Sequence, residues 1–205
     1  MNTQQPLSPL SAESLTPGFQ SPALDAQIVF RSVMDAWSRP GRVASLPDRV
    51  QAPEGLDAAS AAVALTLVDA DTAVWLSPAC RGAADWLRFH CNCPLVAEPA
   101  EADFAFATTD SLPELTALRA GTALSPELGA TVLIAVPSLK AGPTLTLTGP
   151  GIETREQVMP AGLEASFWVA RDAMRPLYPA GVDLILTCGQ ALVCLPRTTS
   201  ISREV

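Results

Sequence analysis

Between residues 21 and 41 the apolar positions Leu24, Ile28, Val33, Met34 and Trp37 recur at helical spacing, which predicts an amphipathic helix with that face on a core. Ser21 offers a cap at its start and Pro22 suits the first helical position, where no N–H is needed. Pro40 and Gly41 end it, because proline disfavours helix before it and glycine accepts a left-handed turn. Residues 57–68 are Ala-rich and apolar, with Asp57 as a cap, and read as a buried helix with a strand as the alternative. Residues 80–90 set Ala84 and Leu87 against Arg81, Asp85 and Arg88 around another helix, and residues 164–174 form a further amphipathic one. Residues 113–120 predict a short helix closed by Gly121.

Short apolar or alternating stretches predict strands at 72–76, 104–108, 130–136, 144–148, 152–158, 182–187 and 191–195. The run A-T-V-L-I-A-V at 130–136 is almost wholly apolar, as a strand buried on both faces requires. A turn at 139–143 pairs it with 144–148 as a hairpin, and Cys188-Gly189-Gln190 joins the last two strands. Helices and strands alternate early and strands pair locally later. This predicts an α/β fold in a single domain, a mixed sheet with helices on both faces. Residues 1–17 are expected to be a flexible N-terminal arm, 18–199 the domain, and 200–205 a C-terminal tail beyond Pro196-Arg197-Thr198-Thr199. Residues 43–56, with Pro47, Pro53 and Gly55, read as a loop.

Composition narrows the function classes. In 205 residues, 48% apolar and 17% charged, there is enough apolar surface for one sizeable core. A net charge of −8 argues against a nucleic-acid or anionic-membrane surface spread over the molecule, and leaves room for a local basic pocket. No apolar run is long enough to span a bilayer. The first twenty residues lack the basic and apolar regions of a signal peptide, so a cytoplasmic location is expected. Cys80, Cys91, Cys93, Cys188 and Cys194 then read as reduced thiols. His90-Cys91-Asn92-Cys93 has poor spacing for zinc, and buried thiols are the better reading, so no metal is expected. Dinucleotide, P-loop and nucleophile-elbow motifs are absent. The single lysine, Lys140, falls in a predicted turn, a poor place for a Schiff base, so no pyridoxal phosphate or other cofactor is expected. Gly149-Pro150-Gly151 reads as a tight turn before it reads as an anion nest. His90 is the only histidine, an acid or base if functional and otherwise a hydrogen-bonding residue at a helix end.

A set of segments in order along the chain resembles one family. It comprises F-R-x-V-M-D-A-x-S-R-P-G at 30–41, D-A-D-T-A-V-W-L at 69–76 and W-L-R-F-H-C-N-C-P at 86–94. It continues with G-T-A-L-S-P-E-L-G-A-T at 121–131, L-T-G-P-G-I at 147–152, Phe167-Trp168, P-A-G-V-D-L at 179–184 and L-P-R-T-T at 195–199. Together these resemble the PhnH family, the H subunit of the bacterial carbon–phosphorus lyase core complex. The resemblance implies a fold like the large domain of pyridoxal-phosphate-dependent transferases without the cofactor, and a role in phosphonate breakdown. It implies partners in the G, I and L subunits, which with H displace adenine from ATP by a phosphonate to give a ribose 1-phosphonate 5-triphosphate. A separate radical subunit, J, later cleaves the carbon–phosphorus bond. No established catalytic residue is carried over to this chain.

Two readings follow. In the first the chain is a non-catalytic assembly subunit that shapes a neighbour's active site, exposes an apolar patch and forms a homodimer when alone. In the second it holds a phosphonate or triphosphate itself through arginines, with Arg31, Arg39, Arg88 and Arg197 as the candidates and His90 as the histidine acid or base. The first is favoured, and a cleft lined by these side chains would discriminate between them.

Overall fold

The computed structural model describes residues 16–203, so all but the end of the expected N-terminal arm lies outside the described residues. Its frame is a six-stranded mixed sheet in the order β1-β8-β7-β4-β3-β2. The strands are β1 (Ala44–Ser45), β2 (Val74–Leu76), β3 (Phe104–Thr108), β4 (Thr131–Ala135), β7 (Asp183–Cys188) and β8 (Ala191–Leu195). Strands β2, β3, β4 and β7 run parallel, with β2 at one edge, and β8 and then β1 close the other edge antiparallel. The parallel strands read as apolar runs because both of their faces are covered. Phe106 pairs with Leu133 and Leu133 with Ile185, so large side chains line up across one face in register.

That face carries α1 (Pro22–Ser38), α2 (Ala58–Leu67) and α3 (Ala84–Cys91). In α2 four of the six buried residues are alanine, which brings the helix backbone close to its neighbours. Asp57 caps it as expected, its Oδ1 accepting from the Ser60 N–H at 2.8 Å, so helix rather than strand is correct for this segment. Burial pushes the Asp57 carboxyl upward, against the hydrogen bonds from Ser60.

The opposite face differs from expectation. It is covered by α4 (Ala165–Ala173) together with a second, three-stranded sheet in the order β6-β5-β9, formed by β5 (Leu145–Thr148), β6 (Glu156–Val158) and β9 (Ser200–Arg203). Strand β5 therefore does not form a hairpin with β4. It leaves the main sheet and pairs antiparallel with β6 and β9, burying Leu145 and Leu147 against the underside of β4 and β7. Residues 200–203, expected in a C-terminal tail, are that third strand, and residues 204–205 lie outside the described residues. The 113–120 segment shortens to a 3₁₀ turn at Leu115–Ala117, and the loop at 43–56 contributes the two-residue edge strand β1.

Helix α1 turns inward only part of the expected face: Val33 is buried and Trp37 packs on the core, but Leu24, Ile28 and Met34 do not. Its buried residues are Asp25, Val29, Val33 and Ala36, while Leu24 is 64% exposed, Met34 51%, and Ile28 and Phe30 are exposed too. Ser21 does not cap through its hydroxyl; instead the Asp25 carboxylate accepts from the Ser21 N–H at 2.9 Å, closing the first turn from inside. Among the described residues no helix is long and apolar enough to cross a membrane.

Candidate functional site

Arg39, Arg42, Arg155, Arg175 and Arg197 lie near the end of the main sheet where the parallel strands begin. Helix α1 ends there in Ser38-Arg39-Pro40-Gly41-Arg42, pinned to the sheet when Gly41 N–H donates to the Cys194 carbonyl at 3.3 Å. The turn at 149–151 packs directly on it. Gly151 has φ +82°, and a Cβ there would overlap the Ser38 carbonyl oxygen and lie 2.9 Å from Pro40 Cδ. Only glycine permits this approach. On the other side of the same turn runs the segment after β8, with Thr199 N–H donating to the Pro196 carbonyl at 2.9 Å.

Two cavities flank the turn. One, about 290 Å³, is lined by Arg39, Arg42, Gly151, Thr154 and Arg155, with Glu153 and Glu156 on its wall. The other, about 360 Å³, is lined by Pro150, Arg175, Tyr178, Arg197 and Thr198. Guanidinium groups in such clefts suit bidentate oxyanions such as carboxylate, phosphate or phosphonate.

The five residues singled out from sequence are not brought into one cleft. Arg39 lines the first cavity and its Nη1 pairs with Asp35 Oδ1 at 2.6 Å, one helical turn back, with both side chains half exposed. Arg197 lines the second and is held by the protein. Its Nε sits 3.2 and 3.1 Å from the two Asp183 oxygens and its Nη2 donates to Oδ2 at 2.6 Å. Its Nη1 donates to the Pro126 carbonyl at 2.7 Å. Arg31 stands exposed on the solvent side of α1. On α3, Arg88 pairs with Asp85 at 3.3 Å. His90 Nε2 lies 2.9 Å from the Thr16 carbonyl, which also accepts from Trp86 Nε1 at 3.0 Å, so both rings hold the entry to the domain.

The sequence reading missed Arg155, Arg171, Arg175 and Tyr178 and left Arg42 out of its candidates. Arg171 and Arg175, four residues apart near the end of a predicted helix, were a visible signal; that Tyr178 meets them after a turn was not.

The cysteines are all free thiols. Burial pushes Cys91 up to about 12 and raises Cys80, Cys93 and Cys194 as well. Only Cys188 is partly exposed. In the folded protein at pH 8, Ellman's reagent is expected to titrate one thiol rapidly, and all five after unfolding in guanidinium. Rapid reaction of two or more would contradict this burial. Among the described residues no three His, Cys, Asp or Glu side chains converge as metal ligands. Lys140 is exposed in the loop after β4.

A family model described as bacterial phosphonate metabolism protein (PhnH) matches residues 17–202. The chain is 40% identical over 189 residues to the "Alpha-D-ribose 1-methylphosphonate 5-triphosphate synthase subunit PhnH" of Rhizobium meliloti (strain 1021), covering 91% of this chain and 94% of that protein. It is 38% identical over 176 residues to the "Putative C-P lyase subunit protein HtxG" of Stutzerimonas stutzeri, covering 86% and 85%.

Proposed function

We propose, because this chain belongs to the PhnH family of bacterial phosphonate metabolism proteins, that it is an H-type subunit of a cytoplasmic carbon–phosphorus lyase complex. With G, I and L subunits, and J as the radical partner, it supports displacement of adenine from ATP by a phosphonate. Its contribution is assembly rather than catalysis, on a scaffold resembling the large domain of pyridoxal-phosphate-dependent transferases with no lysine placed for that cofactor.

The observation that carries this reading is the outer face of α1. Leu24, Ile28, Phe30 and Met34 are exposed on one helix, and Phe89 of α3 is exposed as well. A run of large apolar side chains on the outside of a helix whose other side already fills the core is a surface for another protein. Alone, the chain covers that face by forming a homodimer; in the complex a partner subunit covers it. The specific observation favouring the second reading is the cavity holding Arg39, Arg42 and Arg155, three guanidiniums suited to a composite site.

One experiment separates them. The triple variant Leu24→Ser, Ile28→Thr, Met34→Gln, co-expressed with the other subunits, is expected to lose co-purification and growth on methylphosphonate as sole phosphorus source. Its melting temperature should hold, because the three side chains are exposed. Full co-purification of the triple variant would reject the assembly reading for this face. Normal assembly with lost growth for Arg39→Lys would support the second, since lysine cannot reproduce the guanidinium fork.

A further inference from the structure

Helix α4 places Arg171 in its last turn, and the 3₁₀ turn that follows places Arg175 about one helical turn further on. The Arg171 side chain is only 4% exposed. Its Nη2 donates to the Pro196 carbonyl at 2.8 Å, but Nε and Nη1 are buried without a hydrogen-bond partner. The nearest acid, Asp172, leaves its Oδ1 3.6 Å from Nη1 and is itself unpartnered at that oxygen. A helix C-terminus favours a cation electrostatically, yet that does not supply acceptors for two buried N–H groups.

Arg171, Arg175, Tyr178 and Arg197 enclose an inner cavity of about 10 Å³, room for one water. Arg175, Tyr178 and Arg197 also line the 360 Å³ cleft outside it, with Pro150 and Thr198, so the two spaces share a wall. No acidic side chain lines the outer cleft. Asp183 neutralises Arg197, and Asp172 offsets Arg171. Arg175 has no ion pair among the described residues, so the cleft keeps a positive charge.

We propose that this cleft binds a tetrahedral oxyanion, the terminal phosphate or phosphonate group of a small molecule. Arg175 grips two of its oxygens, the Tyr178 and Thr198 hydroxyls donate to it, and Arg171 reaches it through a water in the inner cavity. The site belongs to the isolated chain and goes beyond the assembly reading without resting on it.

The test is calorimetric titration of the purified chain at low ionic strength with methylphosphonate and with tripolyphosphate. Saturable binding of one anion per chain is expected, about tenfold or more weaker in Arg175→Gln and several-fold weaker in Arg171→Met. Arg81→Gln, exposed after β2 at the opposite edge of the sheet, should bind as the parent does. Tighter tripolyphosphate identifies a triphosphate as the source of the group, and tighter methylphosphonate a phosphonate. No saturable binding, or equal losses in Arg81→Gln and Arg175→Gln, would overturn the proposal. Neither result touches the assembly reading, because co-purification through α1 does not depend on Arg175.

Discussion

Arg197→Met is expected to destabilise the fold by about 3–5 kcal/mol, the range for breaking a largely buried ion pair by removing one partner. For a chain of this size that is roughly 6–20 °C in melting temperature. Arg197 and Asp183 are 15% and 19% exposed, so solvent screens the pair little. The side chain also ties three segments together, β7 through Asp183, the 126–129 turn through the Pro126 carbonyl, and the 178–181 turn through the Pro179 carbonyl at 3.4 Å. Methionine keeps the stem volume and removes all of these donors, leaving the Asp183 carboxylate and the Pro126 carbonyl short of partners. Arg197→Lys should cost less, about 1–3 kcal/mol, since it keeps the charge and loses the fork. Adding Asp183→Asn to Arg197→Met should recover part of the loss: the buried charge goes, and the amide oxygen can still accept from the backbone N–H of residue 197, which in the parent donates to Asp183 Oδ1 at 2.7 Å. Thermal and urea melts of the three variants check this. An Arg197→Met protein that melts with the parent would remove Arg197 from the frame and free it for a ligand.

Gly151→Ala is expected to cost about 2–5 kcal/mol, from two sources that a second variant separates. The first is backbone: at φ +82° an alanine costs about 1–2 kcal/mol. The second is steric, since the new Cβ meets the Ser38 carbonyl and Pro40 ring, and such overpacking costs about 1–3 kcal/mol. Gly189, in the β7–β8 turn at φ +60°, has nothing within 4 Å of a built Cβ, so Gly189→Ala reports the backbone part alone. The difference between the two variants in urea melts measures how firmly the 149–151 turn is pressed on the end of α1. The same overlap pushes apart the segments carrying Arg39, Arg42 and Arg155. Growth on a phosphonate should therefore fall further in Gly151→Ala than the stability difference alone explains. Equal destabilisation in both variants would show that the turn yields and that its closeness to Ser38 carries no energy.

Most of the elements were legible in the sequence, because their causes are local. The run at 130–136 announces a strand covered on both faces and the run at 104–108 a strand, Asp57 three residues before Ser60 announces a cap, and Cys188-Gly189-Gln190 announces the β7–β8 hairpin. The ordered motifs identified the family for the same reason: they are properties of the string. What the tertiary structure alone decided is which of several locally equivalent choices was taken. On α1 two stripes share the helical period, and the inner one is Asp25, Val29, Val33 and Ala36, since small and β-branched side chains let the helix lie close to α2 and β8. The larger Leu24, Ile28 and Met34 are left outside, and no periodicity distinguishes the two cases. Nearness in sequence favours pairing β5 with β4, but β4 takes β7, about fifty residues on, and β5 takes β6 and β9. Arg197 is a ligand candidate from sequence, where nothing shows that its partner is Asp183, fourteen residues back on β7. Sequence determines what each segment favours by itself; pairing, facing and neutralisation are energies between segments, and they exist only once the chain has closed on itself.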